Sequence, residues 1–281
     1  MTNNVLPERI GVIGAGRMGA GIAHAFLLGG ADVVVVESSD DAAAAGKERI
    51  DRSLAKSAER GLTEHGTLTI ATDWQALADC GLIIEAVPED ADLKAAVLTE
   101  IAAVAPGARL GTNTSSLSVT DLAKRLPNPA QLIGLHFFNP VPSSSLVEIV
   151  VAETTPDELT TAAQGWVAAI GKTAVTVKDS PGFASSRLGV AIALEAMRMV
   201  DEGVASAEDI DTAMELGYRH PVGPLKTTDF VGLDVRLAIA EHLERELGPR
   251  FAPPQVLRDK VAAGHLGRKT GQGFYDWTTE K

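Results

Sequence analysis

The sequence predicts an α/β fold, a doubly wound and mostly parallel sheet followed by an all-helical C-terminal domain. Strand-like and helix-like segments alternate over about the first 180 residues, which is typical of a parallel sheet covered by helices on both faces. A glycine-rich turn joins the first strand to the first helix. Beyond residue 181 helical periodicity continues without a convincing strand. We therefore expect two domains, residues 1–181 and 182–281.

The turn after the first strand has the spacing of a dinucleotide-binding loop. An apolar strand at 9–13 leads into Gly14, Gly16 and Gly19, and a helical pattern follows. In this G-x-G-x-x-G turn the first glycine makes the bend, the second admits the phosphates, and the third lets the helix pack on the strand. The helix N-terminus, with Arg17 and Met18, then offers unpaired N–H groups to a pyrophosphate. The predicted sheet is therefore of the Rossmann type.

The second strand indicates which dinucleotide binds. A β-branched run at 32–36 ends at Glu37, eighteen residues after Gly19. A carboxylate at this place accepts the hydroxyls of the adenosine ribose. It would repel a 2′-phosphate, and the next residues, Ser38 to Asp40, include no arginine. The sequence thus predicts NAD as the cofactor.

The remaining elements follow in chain order. Further strands are predicted at 68–71, 82–86, 109–112, 131–136, 146–151 and 173–177. Helices of the first domain are predicted at 40–60 and 90–104 and in the segment that ends at Gly171. Helices of the second domain are predicted at 183–202, 206–216, 228–247 and 254–263. Ser206 and Asp209 have the spacing of an N-cap pair.

Composition limits the partners and the compartment. The net charge of −12 over 281 residues argues against nucleic acid and anionic membranes. The single cysteine, Cys80, forms no internal disulfide, and the N-terminal residues lack a signal-peptide pattern. We expect a cytoplasmic protein with no membrane span and no metal site. The helical domain has too few helical turns to bury all its apolar faces, which suggests a homodimer formed through this domain.

Among the six histidines, His136 has the surroundings of a general base. It ends the apolar run 132–135, and ligands of open α/β sheets bind at the carboxyl ends of strands. Histidine titrates near the working pH. Glu148 lies in the next apolar strand, where a buried carboxylate needs a partner. Pairing with Glu148 would orient the ring and stabilise the imidazolium, although the spacing alone also permits a structural ion pair.

Two other groups of polar residues are candidates for binding. The run 112–116 follows a strand end and offers hydrogen bonds to the nicotinamide carboxamide or a substrate oxygen, or it caps the helix near Ser118. The helix at 40–60 carries five basic residues: Lys47, Arg49, Arg52, Lys56 and Arg60. They either bind a polyanionic substrate or form a solvated face together with Asp51 and Glu59.

These motifs together resemble the 3-hydroxyacyl-CoA dehydrogenases. The segments that carry the resemblance are 113–117, 134–140, 146–148, 179–183, 221–224 and 267–275. They occur in unbroken order over essentially the whole chain, and within the family they are most similar to the bacterial 3-hydroxybutyryl-CoA dehydrogenases. The resemblance implies reversible, NAD-dependent oxidation of a (3S)-3-hydroxyacyl-CoA, such as 3-hydroxybutyryl-CoA, to the 3-oxoacyl-CoA.

The resemblance also implies roles by position. His136 matches the catalytic base and Glu148 its acidic partner. Ser115 and Asn139 match groups that bind the oxygens of the substrate and the catalytic histidine. The positions at the cofactor, beyond the glycine turn, are Glu37 at the ribose and Glu89, Lys94 and Asn113 on the nicotinamide side. The positions at the acyl-CoA are Arg52 and Lys56 at its adenine-nucleotide part and Ser186 near the acyl group.

Two departures from the family pattern concern the substrate pocket. Ser186 stands where the family has Asn, and Ser143 to Ser145 replace Val-Met-Lys. We expect a roomier, more polar pocket that accepts a more polar or bulkier 3-hydroxyacyl group.

Two alternatives remain open: a carrier-protein-bound substrate and a non-enzymatic NAD-binding relative. A 6-phosphogluconate-type enzyme is disfavoured because no lysine occurs early in the helix after Gly182. Chemistry through a nucleophilic cysteine is disfavoured because Cys80 precedes a core strand.

Overall fold

Eight strands form one sheet in the first part of the chain. The computed structural model describes residues 5–278, and the chain divides into two units, Met1–Ser180 and Pro181–Lys281. The strands are β1 (Arg9–Ile13), β2 (Asp32–Val36), β3 (Leu68–Ala71), β4 (Leu82–Glu85), β5 (Arg109–Thr112), β6 (Leu132–Phe137), β7 (Leu146–Val151) and β8 (Thr173–Lys178). Their bounds lie within one or two residues of the predicted ones.

The order of the strands confirms the predicted doubly wound sheet. Across the sheet the order is β3-β2-β1-β4-β5-β6-β7-β8. The first six strands are parallel, β7 runs antiparallel to β6, and β8 is parallel to β7. The chain changes its direction of winding between β1 and β4. Because six strands end at the same edge of the sheet, the residues that follow them meet there.

Helices cover this sheet. They are α1 (Arg17–Leu28), α2 (Asp40–Ala58), α3 (Ala91–Val104), α4 (Val119–Ala123) and α5 (Asp157–Ala169), with 3-10 turns at Trp74–Leu77 and Pro129–Gln131. The N-cap side chains of Ser39, Asp90 and Ser118 accept backbone N–H bonds from α2, α3 and α4. Apolar residues of α1 and α5 pack with those of β1, β2 and β6 in one hydrophobic core.

The second unit is helical, as predicted, with its own core. Its helices are α6 (Ser185–Asp201), α7 (Ala207–Thr212), α8 (Pro224–Val231), α9 (Leu233–Leu247) and α10 (Gln255–Ala262); a π-helical turn, Ala213–Gly217, follows α7. The single helix predicted at 228–247 is wrong. Gly232 breaks it at φ +105°, and Pro224 begins the earlier helix at a position where its missing N–H costs nothing.

Two buried aspartates hold this unit together. The Asp211 carboxylate accepts bonds from the N–H groups of Leu225 and Lys226 and from the Tyr275 hydroxyl. Asp229 accepts bonds from the Phe274 and Tyr275 N–H groups and from Trp277 Nε1. A Cβ on Gly273 would lie 2.2 Å from Asp229 Oδ1. The glycine-rich segment 267–275 is therefore explained by close packing on Asp229.

Candidate active site

The glycine turn after β1 has three distinct environments. Gly14 has a φ of +86°, which a residue with a side chain rarely adopts. A Cβ on Gly19 would lie only 1.8 Å from the Gly14 carbonyl oxygen, whereas one on Gly16 would meet nothing within 4 Å. Gly16 is the N-cap of α1, and none of the described side chains caps that helix. The open space and uncapped N–H groups fit a dinucleotide pyrophosphate.

Glu37 follows β2 and reaches back to this turn. Its Oε1 accepts a hydrogen bond from the Ala15 N–H, and its Oε2 accepts one from the Ser38 N–H at 3.2 Å. Arg49 of α2 donates to the Ala15 carbonyl oxygen at 3.1 Å. The carboxylate therefore lies beside the glycine turn, where the adenosine ribose is predicted to bind.

A buried ion triad lies behind the ends of β4 and β5. Lys94 of α3 donates to Glu85 Oε1 at 2.7 Å and lies 3.3 Å from Glu89 Oε2. Glu85 ends β4 and also accepts bonds from the Val87 N–H and the Thr112 hydroxyl, both at 2.7 Å. The side chains of Lys94 and Glu85 are 1% and 0% exposed. One buried ammonium group thus serves two carboxylates.

Glu89 connects this triad to the polar loop after β5. Its Oε1 accepts bonds from the Thr114 hydroxyl and from the Ser115 and Ser116 N–H groups at 2.7, 2.8 and 2.9 Å. Burial raises the pKa of Glu89, but Lys94 and these donors outweigh that effect and hold it below its ordinary value. Lys94 therefore reaches the loop through Glu89 and presents no exposed charge of its own. Glu85 was not among the predicted site residues, although an acid that ends the apolar run 82–84 is a signal for it.

His136 and Glu148 face each other across β6 and β7. They are directly paired in the antiparallel register, and His136 Nδ1 lies 2.8 Å from Glu148 Oε2. Both side chains are buried, at 7% and 1% exposure. The Phe138 ring packs at 4.5 Å from the imidazole. Because Nδ1 faces a carboxylate, Nδ1 carries the hydrogen and Nε2 is the nitrogen that can take up a proton.

Hydrogen bonds connect the end of β5 and the loop after β6 to the region of the His136–Glu148 pair. Asn113, after β5, accepts a bond at 2.9 Å from the Phe137 N–H, next to His136. Asn139 lies exposed on the loop between β6 and β7. Lys172 holds that loop by donating to the carbonyl oxygens of Val141 and Ser144, and burial lowers its pKa. Lys172 was not among the predicted site residues, since a lysine in a helix–strand turn carries no distinctive pattern.

The predicted acyl-CoA residues have different surroundings. On α2, Arg52 forms an exposed ion pair with Glu48, and Lys47 forms one with Asp51 at 2.6 Å. Lys56 is exposed and has no ion pair with any residue in the described range 5–278. Ser186 lies in the first turn of α6, in the second unit, and is half-buried.

The other predicted polar groups lie in simpler environments. Ser115 is exposed in the loop after β5. The Ser143 hydroxyl donates to the Pro140 carbonyl oxygen at 3.2 Å, and Ser144 Oγ accepts a bond from the Leu146 N–H. These two serines therefore use hydrogen bonds within their own loop. His24 is buried in α1, with Nε2 at 2.9 Å from the Ser57 hydroxyl, and Cys80 is buried as predicted.

Known proteins match this chain over nearly its full length. The family model described as "3-hydroxyacyl-CoA dehydrogenase, NAD binding domain" matches residues 9–180, and the C-terminal domain model of the same family matches 182–277. The chain is 42% identical to a probable 3-hydroxybutyryl-CoA dehydrogenase of Deinococcus radiodurans, covering 96% of this chain and all of the relative. It is 40% identical to a 3-hydroxybutyryl-CoA dehydrogenase of Mycobacterium tuberculosis, covering 96% of this chain and 98% of the relative.

Solved structures are similar to the same extent. The (S)-3-hydroxybutyryl-CoA dehydrogenase of Ralstonia eutropha gives a TM-score of 0.91 at 37% identity, over 98% of this chain and all of that one. A 3-hydroxybutyryl-CoA dehydrogenase of Escherichia coli gives 0.92 at 36% identity, over 99% of this chain and 61% of that one. Within residues 5–278, no helix is long and apolar enough to cross a membrane.

Proposed function

The chain belongs to the 3-hydroxyacyl-CoA dehydrogenase family, and from that premise we propose that it oxidises a (3S)-3-hydroxyacyl-CoA to the 3-oxoacyl-CoA reversibly with NAD. The observation that carries the proposal is the buried His136–Glu148 pair, with its 2.8 Å contact, near the carboxyl end of β6. Asn113, which follows β5, accepts a hydrogen bond from the N–H of Phe137, the residue after His136. An acid–base pair beside a dinucleotide site is the arrangement that alcohol oxidation requires.

The proposed mechanism assigns the proton to His136. NAD, when bound at the glycine turn, supplies the acceptor for the hydride that leaves C3 of the substrate. His136 Nε2 takes the hydroxyl proton as that hydride leaves, and it returns the proton in the direction of reduction. Glu148 holds the Nδ1–H and balances the imidazolium charge, which a buried site would otherwise disfavour.

Other residues position the acyl-CoA. We assign two residues to the oxygens of the substrate, Ser115 and Asn139. Glu89 fixes the loop of Ser115, and Asn139 is exposed. Ser186 is assigned to the acyl group. Lys56, exposed and without an ion pair in the described chain, is a better candidate for the nucleotide part of coenzyme A than Arg52. Arg52 already pairs with Glu48, and a pair of this kind on the surface contributes little and is easily screened.

The proposal is tested by the loss of NADH absorbance with acetoacetyl-CoA, measured together with NADH binding. We expect saturable turnover. NADH binding without any reduction of acetoacetyl-CoA or longer 3-oxoacyl-CoAs would contradict it and would favour a carrier-bound substrate or a non-enzymatic role. NADH oxidation measured with the same 3-oxoacyl groups on an acyl-carrier protein distinguishes these two outcomes. Turnover would indicate a carrier-bound substrate, and its absence would indicate a non-enzymatic role.

Replacing Glu37 by Ala is expected to weaken the preference for NADH over NADPH. The carboxylate beside the glycine turn would repel a 2′-phosphate, and such juxtaposed like charges cost several kcal/mol. The ratio of kcat/KM for the two cofactors should therefore fall by at least about tenfold. Asp40→Ala, in the exposed first turn of α2, is the matched control and should leave the ratio unchanged. An unchanged ratio in the Glu37 variant would show that other residues select the cofactor.

We also infer that the chain forms a homodimer through its helical unit. Large apolar side chains are exposed on the helices of that unit, and on α6, α8 and α9 they are Leu188, Ile192, Phe230, Val231 and Val235. Leu188 and Ile192 are four residues apart on α6 and so share one face of that helix, and apolar side chains exposed together mark protein–protein contacts. Sedimentation should give twice the 29.3 kDa chain mass, and Leu188→Glu should shift it toward the monomer. A monomer in the native chain would refute this inference.

A further inference from the structure

Arg49 differs from its neighbouring cations on α2 in what it contacts. Lys47 and Arg52 each form an exposed ion pair with an acidic residue one turn away on the same helix. Arg49 is also exposed, but it has no ion pair with any residue in the range 5–278. Its Nη1 donates instead to the Ala15 carbonyl oxygen at 3.1 Å. Arg49 therefore contacts the glycine turn, and the two cations on either side of it do not.

The packing of α2 on the glycine turn fixes this contact. A Cβ on Gly46 would overlap the Ala15 side chain, so the helix can approach the turn closely only because that Cβ is missing. Arg49 follows Gly46 by three residues, and residues at this spacing share one face of a helix. Ala15 is buried and lies between Gly14 and Gly16 in the chain. The guanidinium group is therefore held against the backbone of the turn.

The pyrophosphate of a dinucleotide binds next to this position. Gly16 is the N-cap of α1, and a Cβ on it would meet nothing within 4 Å. Ala15 immediately precedes it, and consecutive Cα atoms are about 3.8 Å apart. The end of the helix supplies N–H groups and only about half a positive charge. A guanidinium group has several N–H donors, and those that the Ala15 carbonyl does not use are within reach of phosphate oxygens at this helix end.

We propose that Arg49 is a cofactor-binding residue that donates a charge-assisted hydrogen bond to the pyrophosphate of NAD. The inference rests on NAD binding at the glycine turn, which the proposed function shares, and it separates Arg49 from the basic residues expected at coenzyme A. Guanidinium groups match phosphate oxygens with paired donors. Because the Ala15 carbonyl already orients the side chain, less conformational entropy is lost when the phosphate binds.

The first test is the affinity for NADH, measured by fluorescence. In Arg49→Met the Kd should rise by about tenfold, the loss expected for one exposed hydrogen bond between charged groups. The KM for acetoacetyl-CoA at saturating NADH should stay at the native value. Lys47→Met is the matched control, because Lys47 lies on the same helix and pairs with Asp51. Its Kd for NADH should equal that of the native chain.

Ionic strength separates a contact with phosphate from simple support of the turn. Raising NaCl from about 0.01 M to about 1 M shortens the Debye length from about 30 Å to about 3 Å, which screens an exposed charge pair. The Kd of the native chain should therefore rise toward that of Arg49→Met, whose own Kd should change less. Arg49→Lys keeps the charge but loses the paired donors, so it should show an intermediate Kd that still depends on salt.

Fragments of the two nucleotides identify the anion. ADP-ribose carries the pyrophosphate of NAD, adenosine carries no phosphate, and adenosine 3′,5′-bisphosphate represents the nucleotide part of coenzyme A. Their Kd values are compared by NMR titration, which also measures weak binding. Arg49→Met should weaken the binding of ADP-ribose by about tenfold and should leave the Kd values of the other two fragments unchanged.

Four outcomes have distinct meanings. An NADH Kd in Arg49→Met equal to that of the native chain overturns the inference. A weakened Kd whose ratio to the native value is the same at low and high salt also overturns it, because the arginine would then only support the turn. Weaker binding of adenosine 3′,5′-bisphosphate in place of ADP-ribose overturns it by assigning Arg49 to coenzyme A. A native chain that binds NADH with the expected dependence on Arg49, yet reduces no 3-oxoacyl-CoA, supports the inference and refutes the proposed function alone.

Discussion

Replacing His136 by Ala is expected to lower kcat for acetoacetyl-CoA reduction by about a thousandfold, in the middle of the range for a removed acid–base group. The imidazole is the group that is proposed to give up and take the proton, and Glu148, fixed opposite it in the register of β6 and β7, has no proton-transfer role without it. The glycine turn and Glu37 are unchanged in this variant. The Kd for NADH, measured by fluorescence, should therefore stay within about twofold of the native value.

A graded series separates the base from its partner. Glu148→Gln keeps the shape and the hydrogen-bond acceptor but removes the charge that balances the imidazolium ion, so kcat should fall less than in His136→Ala. His65→Ala serves as the control, because His65 is exposed and, among residues 5–278, it bonds only to the carbonyl of the adjacent Gly66. Turnover near the native level in His136→Ala would assign proton transfer to another group. Loss of NADH binding would instead show that the substitution had disturbed the dinucleotide site.

The strands and the sheet-edge residues could be predicted because the signals are local. A β-branched run that ends in an acid identifies both β2 and Glu37, and the glycine spacing identifies the turn. The pairing of His136 with Glu148 was less accessible. The two residues are twelve positions apart, and only the antiparallel register of β6 and β7 places them face to face. The sequence suggests the pair because a buried carboxylate needs a partner, but it leaves open whether the pair is catalytic or a structural ion pair.

The misses have the same physical origin. A helix predicted over 228–247 overlooks Gly232, because apolar periodicity continues through it while the backbone reverses to φ +105°. The burial of Lys94 was not foreseen either, because its position in the amphipathic pattern of α3 gave no sign that it lies buried between two carboxylates. In each case the deciding contact or backbone angle is not encoded in the local apolar pattern.

The buried triad gives the second large effect that we predict. Among the residues that the structure describes, Lys94 is the one cation paired with Glu85 and Glu89, and Glu85 is wholly buried. In Lys94→Met, Glu85 keeps its bonds from the Val87 N–H and the Thr112 hydroxyl but loses its counter-charge. Removing one partner of a buried pair typically costs about 3–5 kcal/mol. Two carboxylates then remain near each other without compensation, so we expect the loss to lie at the upper end of that range.

Urea unfolding of Lys94→Met at neutral pH measures this loss, and its pH dependence identifies the cause. In the native chain Lys94 helps hold the pKa of Glu89 below its ordinary value of 4.5. The resulting stability is fully present above that value and is lost as the pH falls through the lower folded-state pKa. In the variant that contribution shrinks, so the difference in unfolding free energy between the two proteins should be largest near pH 7 and should narrow as the pH falls below 4.5. Lys124→Met, which breaks the exposed pair with Asp121, should change stability little at either pH. A deficit in Lys94→Met that stays constant across this range would indicate lost packing of the lysine side chain, and the triad would then have no electrostatic part in holding the loop at Ser115.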